Sequence, residues 1–108
     1  MTADRVRTAL AGERSTREVS MFGGLSFMVD DRMLVAVRGD GRLLVRVDPA
    51  RSRELLALPG AAPAQMGAGR TMGPGWIDVA ADALASDDAL SFWIGVAREY
   101  ARAGAGRR

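Results

Sequence analysis

The chain has 108 residues, 48% of them hydrophobic and 26% charged, and a formal net charge of +2. This is enough chain for one domain that buries a core without staples, and no apolar run approaches the roughly 20 residues that span a bilayer. There is no Cys, His, Lys or Asn, and all fifteen basic residues are Arg, which excludes thiolate nucleophiles, imidazole bases and ligands, and Schiff-base amines. Only carboxylates, hydroxyls and Tyr100 are left for chemistry. The pI near 10.3 overstates the basicity, because between the carboxylates and Tyr only the terminal amine titrates. The opening stretch MTADRVRTALAGERSTR is charged throughout and lacks a signal peptide's apolar segment, so a cytoplasmic location is expected, with which the missing cysteines agree.

In chain order, Val6, Ala9 and Leu10 form a short apolar stripe ended by Gly12, which predicts a helix over about residues 2–11. ERSTREVS reads as a polar connection. Leu25–Val29, Met33–Val37 and Leu43–Val47 are β-rich runs separated by Asp30-Asp31-Arg32 and Gly39-Asp40-Gly41, the pattern of a three-stranded antiparallel meander. Asp48-Pro49 supplies a cap and a preset first residue for a short helix that Pro59-Gly60 stops. Trp76–Val79 reads as a strand, with a weaker one around Ala64–Met66. Ser86-Asp87-Asp88 opens a last helix whose carboxylates face the positive end of its dipole and whose Arg98 and Arg102 lie nearer the other end. Its residues Leu90, Trp93, Ile94, Ala97, Tyr100 and Ala101 share one face, which should pack on the sheet. The expected fold is α+β and two-layered: about five antiparallel strands with helices on one face, one domain over residues 1–103 and a frayed tail at 104–108.

Four features invite a functional interpretation. Gly67, Gly69, Gly73 and Gly75 around Arg70 could form a backbone nest for an anion. The Lys-Ser/Thr ending and following helix of a phosphate loop are missing, so a plain ordered loop is favoured. Arg38-Gly39-Asp40 spells the adhesion tripeptide, but Asp40-Gly41 is a hairpin turn signal. Asp30-Asp31 and Asp87-Asp88 are paired carboxylates, each accounted for by a turn or a helix start, and neither has the spacing of a calcium loop; no metal or cofactor is expected. Arg32, Arg38, Arg42 and Arg46 cluster in the hairpins. Residues 1–53 carry ten Arg against seven acids and residues 54–108 five against six. A polyanion or acidic partner could use that asymmetry through Arg38, Arg42, Arg46 and Arg70, although a solvated sheet face explains it as well.

Met33-Leu34-Val35-Ala36-Val37 and Leu43-Leu44-Val45 place apolar side chains on both faces of the meander. Helices can cover one face; a second copy of the chain is the simplest cover for the other, so a homodimer is expected. If no dimer forms, the glycine-rich segment 67–75 should fold back over that face.

MFGGLSFMVDDRMLVAVRGDGRLLVRVDP, followed by GRTM, a short strand, Ala83-Leu84, Asp87-Asp88 and Trp93, resembles the N-terminal domain of the TfoX/Sxy family of competence regulators from about Val19 to Arg102. The signature Met21-Phe22-Gly23-Gly24 is the most specific part, with Leu90-x-x-Trp93 in support. The resemblance implies an antiparallel sheet covered by helices on one side, and no catalytic residue. It departs at Asp31-Arg32, where the family commonly has a glycine-containing turn, and at a longer glycine segment, Gly73-Pro74-Gly75. Family members add a C-terminal helical domain of helix-hairpin-helix character, to which DNA contact would be assigned, so binding of nucleic acid by these 108 residues is expected to be weak or absent. Within the signature, Phe22 is expected in the core, while Gly23 and Gly24 permit a positive φ or a close backbone approach. The resulting expectation is a non-enzymatic regulatory or protein-interaction domain, with a small-ligand or nucleic-acid binding domain that uses the hairpin arginines and the Arg70 loop as the alternative.

Overall fold

The chain begins with a helix, α1 (Thr2–Ala9), followed by four strands in succession: β1 (Thr16–Met21), β2 (Gly24–Val29), β3 (Arg32–Val37) and β4 (Leu43–Arg46). Each strand is antiparallel to the one before. The computed structural model describes residues 2–11, 16–21, 24–29, 32–67 and 70–106. The expected three-stranded meander is present and gains β1 on its outer side. Most of ERSTREVS is therefore strand rather than connection. Thr16, Arg17, Glu18 and Ser20 are exposed, and an edge strand needs backbone partners on one side only, so β1 forms without apolar alternation.

After β4 come a 3₁₀ turn (Pro49–Arg51) and α2 (Ser52–Leu56), then β5 (Ala61–Pro63), β6 (Gln65–Gly67), β7 (Arg70–Thr71), β8 (Trp76–Val79), a second 3₁₀ turn (Ala81–Leu84) and α3 (Asp87–Gly106). The main sheet has six strands in the order β1-β2-β3-β4-β8-β5, while β6 and β7 form a separate two-stranded ribbon. Local chemistry sets the helix starts. The Asp48 carboxylate accepts the Ala50 N–H at 3.0 Å, with Pro49 in the first helical position. The Ser86 hydroxyl accepts the Ala89 N–H at 3.1 Å, with Asp87 and Asp88 in the first turn. The last helix runs on to Gly106, through three of the five residues expected as tail.

The helices lie on one face of the sheet. Val6 and Leu10 of the N-terminal segment, Leu55 of α2, and Leu90, Trp93, Ile94, Val96 and Ala97 of α3 are buried against Phe27, Val35, Val37, Leu43, Val45, Ile77 and Val79. A bulge in β3 enlarges this core: Phe27 pairs with Val35 and Met28 with Met33, so Leu34 is the extra residue, and it is buried together with Val35. Burying side chains of this size contributes roughly 1.5–3 kcal/mol each. Arg98 fastens α1 to α3 by donating to the Ala9 carbonyl at 3.1 Å.

On the opposite face Ala36, Leu44 and Ala64 are buried together, bordered by Met33, Met72 and Trp76. Part of the cover comes from the chain itself. Ala64 and Met72, which flank the ribbon, are joined by a 2.8 Å backbone hydrogen bond from Met72 to Ala64. The weaker strand expected around Ala64–Met66 is found one residue later as β6 and pairs in the ribbon, while β5 just before it joins the main sheet. Among the described residues no helix is long and apolar enough to cross a membrane.

Candidate functional site

Strand alternation puts Arg42, Leu44 and Arg46 on the face away from the helices, beside Ala36 and Arg38 of the neighbouring β3 end. The register carries one row across the sheet there: Ser26 opposite Ala36, Ala36 opposite Leu44, Leu44 opposite Asp78. Both polar members of the row are buried, Ser26 at 1% and Asp78 at 4% exposure. A carboxylate so deep requires partners. Arg38 Nε donates to Asp78 Oδ1 at 2.7 Å, and Arg42 Nη1 stands 3.7 Å from Oδ2. The other end of the Arg38 guanidinium donates to the Gln65 carbonyl at 3.1 Å and lies 3.8 Å from Met72 Sδ. One arginine thus joins β8, the ribbon and its own hairpin.

The hairpin turn is the one expected from Asp40-Gly41. Arg38 N–H donates to the Arg42 carbonyl at 2.8 Å, and Gly41 N–H donates to the Arg38 carbonyl at 2.9 Å. The Asp40 carboxylate accepts from the Arg42 N–H at 3.1 Å and from Arg42 Nε at 2.8 Å. The Arg42 backbone N–H, then the charge of Arg42, hold the Asp40 carboxyl below the usual range. The adhesion-like tripeptide is a closed turn whose Asp is already occupied.

Arg46 sits at the far end of the same column, about 13 Å from Arg42 along the strand at ~3.3 Å per residue. Its Cζ lies 5.4 Å from the Trp76 ring centroid and 5.5 Å from that of Tyr100. Arg70 is exposed on β7. The structure therefore unites Arg38 and Arg42 around one carboxylate, gives Arg46 an aromatic setting of its own and leaves Arg70 outside both. The anion nest cannot be assembled from the residues described: Gly69 lies outside them, while the Gly75 carbonyl accepts from Val47 N–H at 2.9 Å, tying that segment to the end of β4.

In the signature, Met21 closes β1 opposite Gly24, and Phe22 and Gly23 lie outside the described residues. Gly24 has an evident structural duty. A Cβ there would collide with the Val37 carbonyl oxygen and stand 3.2 Å from Arg38 Cα. Of the two roles expected for the glycines, a close backbone approach is the one seen at Gly24, directly beside the arginine that grips Asp78. Asp30-Asp31 lies outside the described residues, Asp87 pairs with Arg5 at 3.2 Å, and no metal-binding cluster occurs among the described residues.

Asp78 was not singled out from the sequence, although a lone carboxylate within Trp76-Ile77-Asp78-Val79 is a usable signal: a charge inside an apolar strand implies a partner. The Arg46–Tyr100 contact has no such signal, since 54 positions separate the two residues (100 − 46). What this face offers is a set of fixed N–H donors among Met and Trp side chains.

Residues 8–101 match the TfoX N-terminal domain, and the chain belongs to that family. No curated protein and no solved structure matches it.

Proposed function

We propose that this chain is a non-enzymatic regulatory domain that binds another protein through the arginine face of its sheet. The observation that carries this reading is the local neutralisation of the hairpin arginines: Arg38 and Arg42 are paired with Asp78 and Asp40. Binding to a phosphate backbone is driven by protein cations that are free to displace the small counterions condensed on it. Arginines already joined to carboxylates, bordered by Met33, Met72 and Trp76, suit instead the mixed apolar and directed-donor surface of a protein interface, in which Arg, Met and aromatic residues are enriched. Membership of the TfoX N-terminal domain family supports a domain of this kind.

The alternative, a nucleic-acid or small-ligand binding domain, draws on the exposed Arg70 and on Arg46. Two measurements separate them. Capture from an extract of the protein's own cells is expected to retain a partner that Arg42→Ala weakens without a change in the melting curve. Titration of duplex DNA with salt is expected to find only weak binding. A selected DNA motif bound at roughly 10 nM or tighter at physiological salt would replace the protein-interface reading by the nucleic-acid one.

A further inference from the structure

Where the start of β3 and the end of β4 meet the C-terminal half of α3, a cleft of about 250 Å³ opens, lined by Arg32, Met33, Arg46, Ala97, Tyr100 and Ala101. Among the described residues that line it, the two charged groups are both guanidinium groups and there is no carboxylate. Among the described residues neither Arg32 nor Arg46 is in an ion pair, whereas Arg5, Arg7, Arg38, Arg42 and Arg51 all are. Arg46 is held without one. Trp76 and Tyr100 attract its cation through their ring faces, which fixes the group while leaving its N–H donors free to bind. The Arg38 end of the same column is satisfied internally by Asp78, so the unanswered positive charge is at the Arg46 end.

We propose that this cleft binds a small organic anion: one carboxylate or phosphate monoester group, received by Arg46 and Arg32, carried on a short or flat apolar body that rests on Met33, Ala97 and Ala101. Guanidinium groups match planar and tetrahedral oxyanions by paired N–H donation. Two of them on one cavity, with no carboxylate among its described lining residues, favour an anionic occupant over a neutral one. A cleft of about 250 Å³ has room for an acid of benzoate size. The site is separate from the Arg38–Asp78 region and does not depend on the protein-interaction reading.

The test uses the full chain, with benzoate and phenyl phosphate as probes, neutral benzamide as the isostere and inorganic phosphate as the bare anion. The signals followed by NMR are the Trp76 indole N–H, the Arg46 and Arg32 Nε–H and the Tyr100 ring. Saturable shifts confined to these groups are expected with benzoate, phenyl phosphate or both; which acid is preferred identifies the head group. Benzamide and inorganic phosphate should bind at least about tenfold more weakly, since the first lacks the charge-assisted hydrogen bonds and the second the apolar contact. Arg46→Met, which keeps the length of the side chain between the rings, should abolish the shifts at Tyr100, and Arg32→Gln, at the half-buried strand start, should weaken binding about tenfold while the fold is retained. The proposal is overturned by absence of saturation with both acids up to about 10 mM, a limit that already corresponds to very weak affinity. It is overturned equally by benzamide or inorganic phosphate matching the organic acids, or by an unaltered response in both variants.

Discussion

At Gly24 the β2 backbone comes too close to that of β3 for any side chain to fit between them. The Gly24 hydrogen faces the Val37 carbonyl oxygen across the β2–β3 pair, so the second glycine of the signature is a spacing device. Gly24→Val should lower stability by more than about 1 kcal/mol, because the branched side chain can enter only by prising apart two backbones. For a chain of this size a thermal melt would fall by roughly 4–8 °C for each kcal/mol. An unshifted melting temperature with altered partner binding would make the glycine a recognition residue instead. The arginines were harder to interpret. Composition and hairpin positions marked Arg38, Arg42 and Arg46 as a group, but their separation into a carboxylate-bound pair and a ring-bound singleton depends on Asp78 and Tyr100, which reach them only through strand pairing and helix docking.

Elements with a strong local cause were legible. The Asp40-Gly41 turn, the Asp48-Pro49 start and the face of the last helix all come from chemistry within a few residues, and each is where it was expected. β1 was not. Its exposed Thr16, Arg17, Glu18 and Ser20 carry no strand periodicity, and what makes them a strand is the neighbouring β2. The start of α3 gives the sharpest check on a local cause. Ser86 caps it through Ala89 N–H, so Ser86→Ala should cost about 1 kcal/mol, while Ser86→Asp, which keeps the acceptor, should cost little. Urea denaturation of the two variants with unchanged m-value would report this difference. Equal losses would mean that docking of Leu90, Trp93 and Ile94 alone sets the helix start.

The whole molecule lacks histidine, and its acid sensitivity rests on carboxylates. Glu18 is held below its ordinary value chiefly by hydrogen bonds from Arg7, and Asp40 by the Arg42 N–H. A carboxyl whose folded pKa is depressed stabilises the fold fully above its unfolded value, so that contribution is lost as pH falls through the lowered folded value. Melting temperature should stay nearly flat from about pH 6 to 8, then decline below about pH 4. A step near pH 6.5 would contradict this account, because the chain has no imidazole. The homodimer stands as a proposal, on narrower ground. Ala64 and Met72 already cover Ala36 and Leu44, and Phe92, 45% exposed on α3, is the one large apolar side chain exposed among the described residues. A second copy would have to use the β1–β2 side of the face, where Val19 and Met28 are half-buried. Light scattering at micromolar concentration is expected to give twice 11.5 kDa; the 11.5 kDa species alone would mean that cover from within the chain suffices.

The grip of Arg38 on β8, Gln65 and Met72 also has a consequence for the order in which the molecule comes apart. A two-stranded ribbon is too small to be stable alone, so protection of its backbone amides from solvent deuterium should depend on its ties to the sheet, of which Arg38 is the polar side-chain one, beside the packing of Ala64 and Met72 on Ala36 and Leu44. In Arg38→Met the amide of Met72 should exchange through a local opening, at rates independent of denaturant at low concentration, while those of β3 and β4 continue to require global unfolding. Asp78 would retain Arg42 nearby at 3.7 Å, so the sheet should stay folded as the ribbon frees itself. If ribbon and sheet amides still exchange together, the ribbon belongs to a single cooperative unit with the core, and Arg38 is a passenger on it rather than its latch.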